Sequence, residues 1–330
     1  MVNLREYVLV LEAREPLSYG EETIGIKMLA KRINLYLPER GTIIAIPAVL
    51  GNALRGVLRD VMAEAFIEEV LKHVKKPEWH AGALLTLFSG GMLRGEQRVE
   101  RVTAAAVAER VAQVVRLLTP LSIMGCALPG IMVPSKVKLA TFYPACEETR
   151  TLIDDLVERV EDEKLKGALK KSLEQSVENF IIDVQMMRKD DTMKVLQLTR
   201  ARGIKVTGLE EAVPEGEEAK KAKASEERPP AVQMLFYRQA LAPGTLLIGK
   251  LTELMPLSQE ELGLLFLSLE RLSAVGGAIA RGFGEVVIRN LPEAPEGTVE
   301  AFRNFVGEHA EEISDYLAKS PEKWLVRPKK

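Results

Sequence analysis

The sequence predicts an α+β fold, and three observations carry that expectation. Runs of β-formers alternate with amphipathic helical stretches in the order strand, helix, strands, then strand, helix, strand, which is how a sheet with helices laid on it reads in one dimension. At 330 residues and 47% hydrophobic content, the chain can bury a real core as one large decorated domain. A glycine-rich stretch, Ser273 to Arg289 (SAVGGAIARGFGEVVIR), joins a helix end to an alternating strand, and the other elements are organised around it. The element order suggests a ferredoxin-like core with two large excursions inserted.

Composition excludes several function classes. With 45 basic against 47 acidic residues, the overall field does not attract nucleic acid, so any such binding must come from a local patch. Cys126 and Cys146 have no C-x-x-C partner, and His73, His80 and His309 lack metal-ligand spacing, so no zinc or other metal and no cofactor is expected. The cysteines should be reduced and structural; a Cys126–Cys146 disulfide is the alternative for a hyperthermophile source. No apolar run reaches membrane-span length, and the charged start MVNLREY lacks a signal-peptide core, so a cytoplasmic protein without membrane contact is expected.

Taken in order, Leu4 to Ala13 is a central strand by its β-formers. Leu17 to Ile46 reads as a long loop with a short hairpin, punctuated by Gly20, Gly25, Pro38 and Gly41 and carrying Lys27, Lys31 and Arg32. Thr42 to Pro47 is a short strand, and Ala48 to Val70 is a helix with apolar residues at helical spacing. Arg55 and Arg59 lie one turn apart near its start, where free N–H groups attract anions; the competing reading pairs them with Asp60 or Glu64. A Gly-Gly turn follows at Phe88 to Leu93, and Glu96 to Leu118 is a helix. Thr119 to Cys146, with four prolines, is a region of short strands and turns; Leu152 to Asn179 is amphipathic helix, and Phe180 to Met187 is strand.

The densest basic group is Arg188 to Lys205, with Lys189, Lys194, Arg200 and Arg202 between. Gly208 to Pro230 is charge-dense and almost free of large apolar residues, as expected of a mobile excursion. Met234 to Leu251 returns to strand around a Pro243-Gly244 turn. Ser258 to Leu272 is a helix with a serine cap and Glu261 three residues on. It leads into Gly276, Gly277, Gly282 and Gly284, whose spacing fits neither a dinucleotide fingerprint nor a P-loop. Gly297 to Trp324 is a last amphipathic helix.

Three features in this order resemble the RAMP superfamily of CRISPR-associated proteins. They are Ile46-Pro47 followed by Gly51-Asn52-Ala53-Leu54-Arg55-Gly56 and Leu58-Arg59; Met124-Gly125 with the strand toward Tyr143-Pro144; and the strand, helix and glycine loop from Met234 to Gly284. The chain is most similar to backbone subunits of multisubunit CRISPR effector complexes. Gly51-Asn52 and the stretch Arg188 to Asp191 point to type IV, with type I the alternative.

The resemblance implies a single RAMP domain over 1–330: an RRM-like palm, helical fingers from 66–118, and a thumb hairpin from 186–235 containing the flexible 208–230. It implies copies polymerising as a helical filament along a CRISPR guide RNA, with other effector subunits as partners and the bases left free to pair with target nucleic acid. Such binding needs phosphate contacts rather than base readout. The candidate RNA-binding residues are Lys27, Lys31, Arg32, Asn52, Arg55, Arg59, Gly277, Arg281 and Gly282, with Arg188, Lys189, Lys194 and Arg200 on the thumb. Met186, Met187 and Met193 are candidate wedges between bases. The aspartate that RNA-cutting backbone subunits use after the first strand is missing between Pro16 and Ile46, and no histidine falls in that loop, so no catalysis is expected. Two alternatives stand beside this: a RAMP endoribonuclease that processes CRISPR RNA, with Tyr19 or Glu21 near the cleaved bond, and a structural interaction protein without nucleic acid.

Overall fold

The computed structural model describes residues 5–91, 104–189 and 233–325. In chain order the first third holds β1 (Glu6–Ala13), β2 (Gly20–Ile24), β3 (Lys27–Ala30), β4 (Arg32–Leu37), β5 (Thr42–Pro47), α1 (Gly51–Leu71) and α2 (Ala81–Ser89). The middle holds α3 (Ala104–Leu117), α4 (Thr119–Met124), β6 (Cys126–Leu128), β7 (Ile131–Val133), β8 (Val137–Leu139), β9 (Tyr143–Pro144), α5 (Arg150–Glu158), α6 (Glu163–Ser172) and β10 (Ile181–Lys189). The last part holds β11 (Gln233–Leu241), β12 (Leu246–Glu253), α7 (Gln259–Arg271), β13 (Val286–Ile288), α8 (Thr298–Leu317) and α9 (Pro321–Trp324). The fold is mixed α+β with mainly antiparallel sheets.

The main sheet has the order β13-β1-β12-β8, with β9 also on β12, and every neighbouring pair is antiparallel. Strand periodicity divides its faces. Leu9, Leu11, Leu247 and Leu251 point into one core with Leu54, Leu58 and Phe66 of α1, Leu264, Leu265 and Leu269 of α7, and Phe302 and Val306 of α8. Val10 and Ile248 point the other way, into a second core with Ile153, Leu156 and Val157 of α5 and Leu165 and Leu169 of α6. Each such side chain, fully buried, contributes roughly 1.5–3 kcal/mol, so the sheet is held between two helical layers. The described part of the region 66–118, the end of α1 with α2 and α3, packs into the first of these cores.

A second sheet has the order β10-β11-β3-β2, with β11 and β3 parallel. Here the structure departs from the expected loop at 17–46, which forms two hairpins. Ile24 pairs with Lys27 across a turn containing Gly25 (φ 62°), and Leu37 pairs with Thr42 across one containing Gly41 (φ 60°). Both glycines supply the left-handed conformation that tight turns need. The Pro243-Gly244 turn closes no hairpin. β11 pairs with β10 and β3, while β12 pairs with β1, β8 and β9. The turn carries the chain from one sheet to the other, pinned to the end of β1 by Gly244 N–H to Ala13 O (2.7 Å) and Ala13 N–H to Thr245 O (3.0 Å).

Local chemistry accounts for several helix ends. Ser258 and Glu261 make the expected capping box at α7, with Ser258 N–H to Glu261 Oε2 at 2.9 Å. Glu261 is itself buried and also accepts from Ser122 Oγ and Lys136 Nζ, joining α7 to α4 and the approach to β8. The helix expected over Leu152 to Asn179 is broken in two, because Asp162 starts a new one by accepting from Lys164 N–H (2.8 Å) and Leu165 N–H (3.1 Å). α4 falls in the proline-rich stretch, where Pro120 is compatible with a helical first turn.

Both cysteines are free and buried, so the disulfide alternative does not hold. Burial pushes the Cys126 thiol up to about 11, Arg59 opposing, and the Cys146 thiol up to about 12. Among the described residues no helix is long and apolar enough to cross a membrane.

Candidate nucleic-acid interface

The glycine loop begins where α7 ends and closes through Val275 N–H to Gly284 O (2.8 Å) and Val286 N–H to Ser273 O (2.8 Å). Gly276 (φ 102°) and Gly284 (φ 88°) are required there. A Cβ at Gly276 would lie 2.9 Å from Ser18 O, and one at Gly284 would lie 2.5 Å from Val275 O. Between them, Ala278 adopts φ 65° and opens a single 3₁₀ turn, Ile279–Arg281. Gly277 N–H donates to Ser18 O (2.9 Å) and Gly284 N–H to Pro16 O (3.0 Å). The loop is therefore fastened to the segment that follows β1.

Arg281 is exposed and makes no side-chain hydrogen bond or ion pair with a described residue. Beside it lies Arg238 of β11. Its guanidinium stands 5.6 Å from the Phe283 ring centroid, and Nη2 contacts Met28 Sδ at 2.9 Å. Nη1 is buried without an acceptor, at 3.5 Å from where a Cβ on Gly277 would be. A buried donor left unmade costs about 1–3 kcal/mol. Burial lowers the Arg238 pKa, and Arg281 lowers it further, although a guanidinium remains charged at any working pH.

The other predicted residues are distributed elsewhere. Arg55 and Arg59 lie on α1, half-buried, and neither pairs with Asp60 or Glu64. Arg55 Nη2 and Arg59 Nη2 (2.9 Å) both donate to Met124 O, the last carbonyl of α4; Arg59 also reaches Gly125 O (3.2 Å) and Ser89 O (3.3 Å). The two cations close the C-terminus of a short helix, a favourable placement for its exposed carbonyls and dipole. Burial first and then Arg55 lower the Arg59 pKa. Gly51 is demanded by packing, since a Cβ there would meet Leu139 O at 2.1 Å. Asn52 is exposed.

α1 thus starts against β8, at the sheet edge opposite β13 and the glycine loop. The structure does not bring the Arg55/Arg59 face and the loop together.

Lys27 and Arg32 sit on the opposite face of the second sheet from Arg238. Strand register puts Arg238 with Met28, whereas Lys27 binds Asp183 (2.6 Å) and Arg32 reaches Gln239 Oε1 (3.4 Å) and Glu178 (3.7 Å). Lys31 is exposed between β3 and β4. Arg188 and Lys189 end β10, paired with Met234 and Gln233 of β11. Lys194 and Arg200, Met193, and the segment 208–230 lie outside the described residues. Met186 is partly buried in register with Phe236, and Met187 is 52% exposed.

Arg238 was not legible as a site residue. A single arginine in an alternating strand reads as surface, and nothing in its neighbours Tyr237 and Gln239 marks it. Only the approach of the glycine loop, some forty residues further on, gives it a setting.

No protein-family model matches the chain, and no curated protein matches it. Among solved structures the chain is similar to a chain of a "Type IV-B CRISPR Complex", with a TM-score of 0.47 and 14% identity, over 88% of this chain and 94% of that one.

Proposed function

We propose that the chain is a non-catalytic backbone subunit of a CRISPR effector complex, which polymerises along guide RNA, grips its phosphates and leaves its bases free for target pairing. The observation that carries this reading is the order β13-β1-β12-β8, with α1 following β1, α7 following β12, and the glycine loop entering β13. We read this order as a split β-α-β-β-α-β, or ferredoxin-like, palm, and a glycine loop leading into its edge strand is compatible with the RAMP resemblance of the sequence. The β10–β11 ladder, in register from Ile181↔Leu241 to Lys189↔Gln233, is the stem from which the thumb would extend, and α2 and α3 are the described part of the fingers.

In this reading Arg281 and the basic residues near the thumb stem contact RNA. Arg55 and Arg59 support the palm by closing α4. The endoribonuclease alternative draws less support: burial raises the Tyr19 pKa, so its phenol stays protonated at neutral pH and is a poor base.

Fluorescence anisotropy with labelled repeat RNA and a scrambled strand of equal length tests the reading. Equal affinity for the two is expected, falling about 50-fold between 50 and 200 mM salt for roughly four phosphate contacts. Sedimentation should show added protein copies as the RNA is lengthened. Absence of binding, or shortening of repeat RNA without added metal, overturns it.

A further inference from the structure

We propose that Arg238 and Arg281, meeting across the glycine loop, form a clamp for one phosphodiester of the bound strand. The clamp rests on the RNA-binding reading for the identity of its anion, while the case for an anion comes from the side chains themselves.

Arg238 stacks on Phe283 and comes up to Gly277, and Arg281 stands in the same loop; neither forms an ion pair with a described residue. Glu15, whose Oε1 lies 3.9 Å from the Cβ position of Gly282, pairs with neither arginine. Of Arg238's donors, Nη2 has only the Met28 thioether and Nη1 has nothing. A thioether is a weak acceptor, so Arg238 is held by contacts that an anionic oxygen readily replaces.

On the other face of β11, Lys27 pairs with Asp183, and Arg32 of β4 pairs with Glu178.

Gly277 adds an independent observation. Its φ is not in the left-handed region, and a Cβ there would make ordinary contacts of 3.5 Å to Arg238 Nη1 and 3.8 Å to Ser18 O. Neither conformation nor packing demands glycine, whereas both demand it at Gly276 and Gly284. What the missing side chain does is leave room beside Nη1 on the loop side of the guanidinium.

In the resting arrangement Nη1 is shielded from water. Engagement therefore takes a turn of the Arg238 terminal torsions away from Met28 and toward Arg281, with the Phe283 ring still supporting the guanidinium plane. Two arginine forks can then hold the two unesterified oxygens of one phosphodiester. No bond is made or broken.

The test uses the full-length protein with Arg281→Gln, Arg238→Lys and the distant exposed control Lys164→Gln. Single-stranded RNA affinity is measured across a salt series, and thermal unfolding is measured with and without inorganic pyrophosphate. Expected for Arg281→Gln is about a tenfold loss of affinity and a salt slope shallower by about 0.7, the value of one phosphate contact on a single strand. Arg238→Lys, which keeps charge but loses the fork, should lose affinity while keeping the slope, and Lys164→Gln should match wild type. If wild type binds RNA and both clamp variants bind equally well, the clamp is refuted and the RNA reading stands. If wild type ignores RNA but pyrophosphate raises its melting temperature and not that of Arg281→Gln, the clamp stands and the RNA reading fails. No response to either ligand refutes both.

Discussion

Arg55/Arg59 and Arg238/Arg281 are both pairs of neighbouring arginines without a carboxylate partner, and they have opposite fates. The first pair is turned onto main-chain oxygen, with Met124 O taking a donor from each and Gly125 and Ser89 also accepting from Arg59, while the Nε of each arginine is buried without an acceptor. The second has a sulfur, a ring face and one buried N–H with no acceptor. What distinguishes a structural cation from a candidate ligand-binding one is its supply of acceptors, and the motif around it does not report that. Arg55 and Arg59 belong to the signature that points to RNA, yet their donors face inward. Arg238 belongs to no signature, and its terminal nitrogens have no oxygen acceptor, Nη2 meeting only the Met28 sulfur.

The largest expected effect breaks the structural pair. Arg59→Ala strips Met124, Gly125 and Ser89 of a charged donor and should lower unfolding free energy by about 2–4 kcal/mol, read from urea or thermal midpoints. An unchanged midpoint would show that its carbonyl contacts are dispensable. Replacing both Arg55 and Arg59 with Glu should therefore lower stability before it says anything about RNA.

Arg281→Gln should do the converse. Its stability should stay within about 0.5 kcal/mol of wild type, as for an exposed residue, while RNA affinity falls. A matching loss of stability would make the two pairs alike.

Cys126 sharpens the comparison through pH. Its thiol is pushed up to about 11 by burial, with the Arg59 charge opposing, whereas in the unfolded chain it titrates near its ordinary 9.0. The folded state then holds a proton that the unfolded state releases, so this contribution is complete below about pH 9 and is lost as pH rises toward 11. Cys126→Ala should flatten the fall in stability over that window by about 1–2 kcal/mol, with Cys146 supplying a residual slope. An unaltered alkaline limb would show that Cys126 does not titrate there.

The smallest effect belongs to Lys27→Gln. Lys27 is an exposed ion-pair member with Asp183, so stability should change by less than about 1 kcal/mol. Its effect on RNA affinity should be smaller than that of Arg281→Gln, because its charge is already partnered. A larger loss would move the interface to the opposite face of the second sheet.

Much of the scaffold was legible because the rules behind it are short-ranged. A run of β-formers marked β1, six residues sufficed to delimit Thr42–Pro47, and Ser258 with Glu261 announced the start of α7 before its apolar face appeared. Where a local rule was ambiguous the reading slipped. Pro120 looked like a breaker though it opens α4, Asp162 divides what periodicity joined, and the glycines between 17 and 46 hid two hairpins.

By itself the sequence determined the α+β class, most element positions and the glycine loop that carries Arg281. Only the tertiary structure decided what each arginine faces. Met124 O is 69 residues from Arg55 and 65 from Arg59, and Arg238 meets the glycine loop only because its strand leaves the Pro243-Gly244 turn for a different sheet from β12. Hydrogen-bond acceptors become available through packing of distant segments, and their supply determines whether a positive charge is consumed by the fold or left for a ligand.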